Sequence, residues 1–269
     1  MSIAQLTSSN NPLLKIIRLI SSGSRRAPKD LVVAEGIRVL EEAHRRGCRL
    51  DAVVISENFG HLDREEKLLN FWISQDLRIC RAGTRLFSSI SDLDAPQGAL
   101  ALVRFPESSL DIAPPAMDAL ILFACGVQDP GNLGTLIRTS AASGAGLVCT
   151  SKGTVSARNP KAIRASAGAI FHIPVVEHME ISEFLHYCNL HGIRIYRTDV
   201  REGMPYTEAD FRSRCAFLVG NEGSGLRMGG VERVPSLRIP MAGGIESLNV
   251  ASAGAILLFE ACRQRMLQR

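Results

Sequence analysis

The chain has 269 residues, 46% apolar and 22% charged, which is ordinary globular material for one large or two modest domains. Its formal charge of +4 is spread thinly, with 15 basic against 12 acidic residues up to Phe105 and 16 against 15 beyond, so charge alone does not announce a nucleic-acid partner. The seven cysteines form no Cys-x-x-Cys pair, no uncharged stretch approaches membrane-spanning length and the first residues lack a leader pattern, so a reduced, cytoplasmic protein away from membranes is expected. In chain order, Asn11-Pro12 opens a helix with an apolar stripe at Leu13, Ile16, Ile17 and Ile20. A basic loop, 21–29, leads to a strand over Leu31 to Ala34, a turn at Glu35-Gly36 and a helix from Ile37 that Gly47 stops. Ala52 to Ile55 reads as a strand, Arg64 to Ser74 as a helix and Ala99 to Val103 as a further strand, which makes residues 1–105 a small α/β domain.

Residues 106–116 are proline-rich and are expected to serve as a linker. Region 117–269 then alternates more regularly. Strands are expected at 119–125, 146–150, 172–176, 192–197 and 215–219, with helices at 132–143, 163–169 and 181–190. Leu237, Ile239 and Met241 alternate as in a strand, and Leu248 to Cys262 has roughly helical spacing. The architecture this pattern predicts is parallel α/β.

The chain contains no Gly-Lys-Ser/Thr and no His-Glu-x-x-His, which sets aside a nucleotide P-loop and a helical zinc site. Three loops at strand ends are rich in Gly, Asn and acid or hydroxyl groups: 128–134, 220–225 and 243–249. In a parallel sheet these share the carboxyl edge and are expected to line one crevice; the plainer alternative is that their glycines serve turn geometry and their Ser and Asn serve as caps. No nucleophile lies beside a base, so the residues suit the binding and orienting of two reactants.

Taken together, the loops carry a resemblance. Asp129-Pro130-Gly131-Asn132-Leu133-Gly134-Thr135-Leu136-Ile137-Arg138 resembles the first motif of the SpoU, or TrmH, family of RNA ribose methyltransferases. Leu218-Val219-Gly220-Asn221-Glu222-Gly223-Ser224-Gly225 resembles the second, and Ile239-Pro240-Met241 through Glu246-Ser247-Leu248-Asn249 the third. The N-terminal Thr7 to Pro12 and Ala34-Glu35-Gly36-Ile37-Arg38 look like the family's substrate-binding domain, a small α/β fold similar to RNA-binding ribosomal proteins.

The resemblance implies a SPOUT fold, an α/β parallel sheet whose C-terminal segment forms a trefoil knot, working as a homodimer without a metal. It implies S-adenosylmethionine held by Leu218, Val219, Gly220, Ile239, Met241 and Leu248, with Asn132, Arg138, Glu222, Ser247 and Asn249 around the methyl group and the target ribose. Lys161 and Arg164 belong to a segment that the family keeps near the site, and Lys15, Arg18, Arg25, Arg26, Lys29 and Arg38 are the RNA-binding candidates of the first domain. The implied reaction is methyl transfer to a ribose 2′-hydroxyl of structured RNA, with ribosomal RNA ahead of transfer RNA. A base-directed enzyme of the same fold and a non-enzymatic assembly factor on the same scaffold are the alternatives.

Overall fold

A computed structural model describes residues 3–105, 108–110, 118–220, 231–243 and 245–267. Its first elements are β1 (Ala4–Leu6), α1 (Pro12–Ser21), β2 (Leu31–Glu35), α2 (Ile37–Arg45), β3 (Leu50–Ser56), α3 (Asp63–Ser74), β4 (Ile79–Ala82), α4 (Thr84–Ser88) and β5 (Ala99–Arg104). There follow β6 (Leu120–Cys125), α5 (Pro130–Ala142), β7 (Leu147–Ser151), α6 (Pro160–Ala165), β8 (Val175–Met179), α7 (Ile181–Leu190) and β9 (Arg194–Thr198). The chain ends with β10 (Met204–Pro205), β11 (Cys215–Gly220), β12 (Ser236–Arg238) and α8 (Val250–Met266). Two compact units result, the first combining Met1–Glu107 with Arg158–Phe171, the second combining Ser108–Ala157 with His172–Arg269.

The first unit has a five-stranded sheet in the order β1-β4-β3-β5-β2. β3 and β4 are parallel, and β5 runs antiparallel to β3 and β2. Asn11 caps α1 by accepting the Leu13 N–H at 2.9 Å, and Leu13, Leu14, Ile17 and Ile20 then pack on Val33, Val54, Leu100 and Leu102. Strands β1 and β4 are absent from the sequence reading, because runs of three and four residues are too short to show a period. Segment 158–171 packs with this unit: Arg158 lies over the Phe105 ring at 5.2 Å, and α6 packs against β2. The helix expected at 163–169 starts earlier, at Pro160, and stops at Ala165, because Ala167 (φ 50) and Gly168 (φ 85) turn the chain left-handed. Gly168 has a second reason to be glycine, since a Cβ there would lie 2.6 Å from Cβ of Glu42.

The second unit has a seven-stranded sheet in the order β10-β12-β9-β11-β6-β7-β8, and every neighbouring pair is parallel. Both faces are covered, which is why β6 is buried at every position. Alternation sorts the strand residues. Ala216 and Leu218 of β11 point to the core that holds Phe123 and Phe184, whereas Phe217 meets Phe211 edge-on at 4.9 Å. The strand expected at 172–176 is displaced to Val175–Met179, because Pro174 has no N–H for the ladder. The strand expected through Ile239 and Met241 stops at Arg238, ahead of Pro240, and the two side chains leave the sheet.

Helix α8 crosses α5 closely. A Cβ at Gly254 would stand 2.5 Å from the end of the Leu136 side chain, so any larger residue would force Leu136 to shift. At its far end Arg265 donates to the carbonyls of Asp118 (2.6 Å), Phe211 (2.9 Å) and Ser213 (2.8 Å), while Gln264 donates to Ala209 (2.9 Å). The Arg265 guanidinium thereby ties the helix to the start of β6 and the loop before β11. Arg265→Ala is expected to lower stability by about 3 kcal/mol in a denaturant titration, and Arg265→Lys to recover less than half of that, because one ammonium cannot span the fork.

Candidate active site

The carboxyl ends of the central strands and the N-termini of α5 and α8 build the site. Asp129 caps α5, its carboxylate accepting the Asn132 N–H at 2.7 Å, with Pro130 in the first helical position. Asn249 caps α8 in the same manner, its Oδ1 accepting the N–H of Ala251 at 2.8 Å and of Ser252 at 3.3 Å. Since those partners are donors, Oδ1 must face them, and Nδ2 is left to donate to Oδ1 of Asn132 at 2.9 Å. That bond joins the first and third loops across 117 residues of sequence.

Arg138 lies on the exposed side of α5, with no hydrogen bond or ion pair among the described residues. Ser247 is exposed two residues before the α8 cap, and Glu222 lies outside the described residues. Of the five residues expected at the reacting centre, the structure therefore brings Asn132 and Asn249 into direct contact and leaves Arg138 and Ser247 at the surface.

Beside them opens a cavity of about 220 Å³, lined by Arg197, Thr198, Asp199, Val200, Val219, Gly220, Leu237, Ile239, Met241, Ser247, Leu248, Val250 and Ala253. Five of the six expected cofactor residues are in that lining. Leu218 is not: it is fully buried on the opposite face of β11, as strand alternation requires once Val219 faces α8. The contribution from β9 went unread in the sequence, because nothing local shows that β9 lies between β12 and β11. The lining suits an adenosine, with apolar walls from Val219, Ile239, Met241 and Leu248 for a flat base, and backbone and hydroxyl groups along the rim. Among the described residues, no group of three His, Cys, Asp or Glu side chains converges as a metal site would.

The basic residues expected to meet RNA divide into two kinds. Lys15, Arg25, Arg26, Lys29, Arg38 and Lys161 are exposed. Arg18 is spent on structure, donating to the Ser9 carbonyl at 2.7 Å and the Ser89 hydroxyl at 3.1 Å. Arg164 is turned inward, with Nη1 buried and its charge acting on the buried Glu35. Burial pushes the Glu35 carboxyl above its usual range, against the pull of the Ser91 hydroxyl, the Asp92 N–H and Arg164.

Comparison with known proteins gives the family. Residues 119–259 match the SpoU rRNA Methylase family, and residues 11–101 match the MRM3-like substrate binding domain. The chain is 32% identical to the 23S rRNA (guanosine(2553)-2′-O)-methyltransferase RlmP of Bacillus subtilis, over 95% of this chain and 98% of that one. An AdoMet-bound rRNA methyltransferase from Sinorhizobium meliloti superposes with a TM-score of 0.84 at 27% identity, covering 97% of this chain and 98% of that one. A solved RNA 2′-O ribose methyltransferase superposes with a TM-score of 0.82 at 34% identity, over 97% and 99%. With its first and third motifs joined at the carboxyl edge of a parallel sheet, this chain belongs to the SpoU rRNA methylase family.

Proposed function

We propose that the protein transfers the methyl group of S-adenosylmethionine to a ribose 2′-hydroxyl of large-subunit ribosomal RNA. The observation that carries this reading is the Asn249–Asn132 bond, which sets the ribose-directed motifs beside a cavity fit for adenosine. The named relative RlmP and the AdoMet-bound neighbour support the substrate and the donor.

When bound, the cofactor supplies an activated methyl on a sulfonium, so the protein needs to align the acceptor and remove one proton. Val219, Ile239, Met241 and Leu248 hold the base. Asn132, Asn249 and Ser247, with Glu222 from the second motif, orient the acceptor hydroxyl. Arg138 binds the phosphate beside the target ribose and stabilises the developing oxyanion, because a guanidinium offers five donors in a planar fork and no acceptor for the hydroxyl proton. Lys15, Arg25, Arg26, Lys29, Arg38 and Lys161 contact RNA phosphate, while Arg18 and Arg164 support the surfaces that carry them. A C-terminal trefoil knot belongs to the same reading, supported by the likeness to solved SpoU methyltransferases. Seven unpaired thiols support a cytoplasmic location, and among the described residues no helix is long and apolar enough to cross a membrane.

The direct test is transfer of labelled methyl to RNA from a strain lacking the protein, followed by digestion to nucleosides. Label in a 2′-O-methyl nucleoside of the large ribosomal RNA is expected, and label on a base would overturn the ribose assignment. Arg138→Ala should lower transfer at least about 100-fold while S-adenosylhomocysteine affinity changes less than about threefold. Asn249 separates structure from alignment: Asn249→Ala should cost about 1 kcal/mol in stability through the lost cap. Asn249→Asp should keep the cap yet lower transfer about tenfold, because it has no donor for Asn132.

Two copies pair through α8, whose Phe259 and Met266 are 49% and 68% exposed two turns apart on one side. Sedimentation should find a dimer that Phe259→Asp converts to monomers; a monomeric wild type would dismiss the pairing.

A further inference from the structure

The cavity has a charged end that the family motifs do not account for. Arg197 and Asp199 are the two ionisable side chains in its described lining, and both come from the end of β9. Arg197 lies in β9 and Asp199 directly follows its last residue, and Arg197 Nη1 donates to Asp199 Oδ2 at 2.7 Å. Oδ1 of Asp199 accepts the N–H groups of Arg201 at 2.9 Å and Glu202 at 3.1 Å, and the Asp199 N–H donates to the Leu237 carbonyl at 2.9 Å. The carboxylate is therefore fixed in position on three donors, yet its side chain stays 26% exposed and Oδ2 retains a lone pair. The Thr198 hydroxyl donates to the Leu218 carbonyl at 3.2 Å, so its proton is committed within the protein and it too can only accept.

A nucleoside held by the apolar walls brings two ribose hydroxyls that need acceptors inside the cavity, and leaving them unpaired would weaken binding. A carboxylate suits this diol because it is an acceptor-only group that can take two hydroxyl donors, as it does in dinucleotide-binding parallel sheets. We propose that Asp199 accepts a hydrogen bond from the ribose hydroxyls of the cofactor's adenosine, with Arg197 holding the carboxylate in place. The inference rests on the cofactor reading above. Hydrogen bonds alone carry it, so no bond is made or broken. Protonation does not compete near neutrality, because the Arg201, Arg197 and Glu202 donors outweigh partial burial and hold the Asp199 carboxyl below its usual range.

The test is calorimetric titration of the whole protein with S-adenosylhomocysteine and with its 2′-deoxy and 3′-deoxy counterparts, which reads binding without turnover. The wild type should bind the ribonucleoside at least about tenfold tighter than one of the deoxy compounds. Asp199→Asn keeps an oxygen for the two backbone donors and loses the charge; it should shrink that preference to less than about threefold. Arg197→Gln leaves the carboxylate in place and should keep most of the preference while weakening all three ligands together. Equal weakening of all three by Asp199→Asn would make Asp199 a loop brace only, and a wild type indifferent to both deoxy compounds would overturn the proposal even if the variant did not fold. Failure of the wild type to bind S-adenosylhomocysteine at all would instead reject the cofactor reading on which the role depends.

Discussion

One side-chain amide holds the active edge of the second unit together. Asn249 uses its oxygen to satisfy two free N–H groups at the start of α8 and its nitrogen to reach Asn132 on α5. An alanine there would leave those amides to water, and an aspartate would keep the cap without the link. The bond requires that two helices approach closely, which Gly254 allows by presenting no side chain to Leu136. It also requires that α8 not slide, and the Arg265 and Gln264 contacts with backbone carbonyls fix its far end. Cap, glycine and clamp thus act on one helix at its start, first turns and end.

The chemistry suited to such a site is alignment. Among the described residues, its groups include backbone ends, amides, hydroxyls and the exposed Arg138 guanidinium. The thiols in the surrounding core offer no nucleophile, because burial pushes Cys125 and Cys188 up to about 12 and Cys215 up to about 11. The charged pair at the end of β9 fits the same logic. Each partner neutralises the other, so a carboxylate can stand in an apolar cavity and still accept hydrogen bonds.

Positive charge proves a poor guide to interaction surfaces here. Arg81 donates to the carbonyls of Glu57 at 2.9 Å and Phe59 at 3.3 Å, Arg18 bridges a loop to the end of α4, and Arg164 faces a buried carboxylate. In sequence these cannot be told from Lys15 or Arg25, which are exposed. A guanidinium has five donors in a planar fork, so a loop with free carbonyls captures it as readily as a phosphate does.

The sequence by itself determined the parallel α/β class, the main elements and the first and third motif loops at one sheet edge, because strand runs, caps and turn glycines are local features. Asp129-Pro130 and Asn249 are legible as helix starts, and the β11 and α8 hydrophobic runs as core. Tertiary structure alone decided which strands are neighbours. The placement of β9 between β12 and β11 brought Thr198 and Asp199 into the cavity, and alternation along β11 turned Leu218 away from it. It also gave segment 158–171 to the first unit, through contacts of Gly168 and Arg158 that no spacing reveals. Sheet order and packing arise from contacts between residues far apart in the chain, whereas propensity and pattern report only what lies within a few turns.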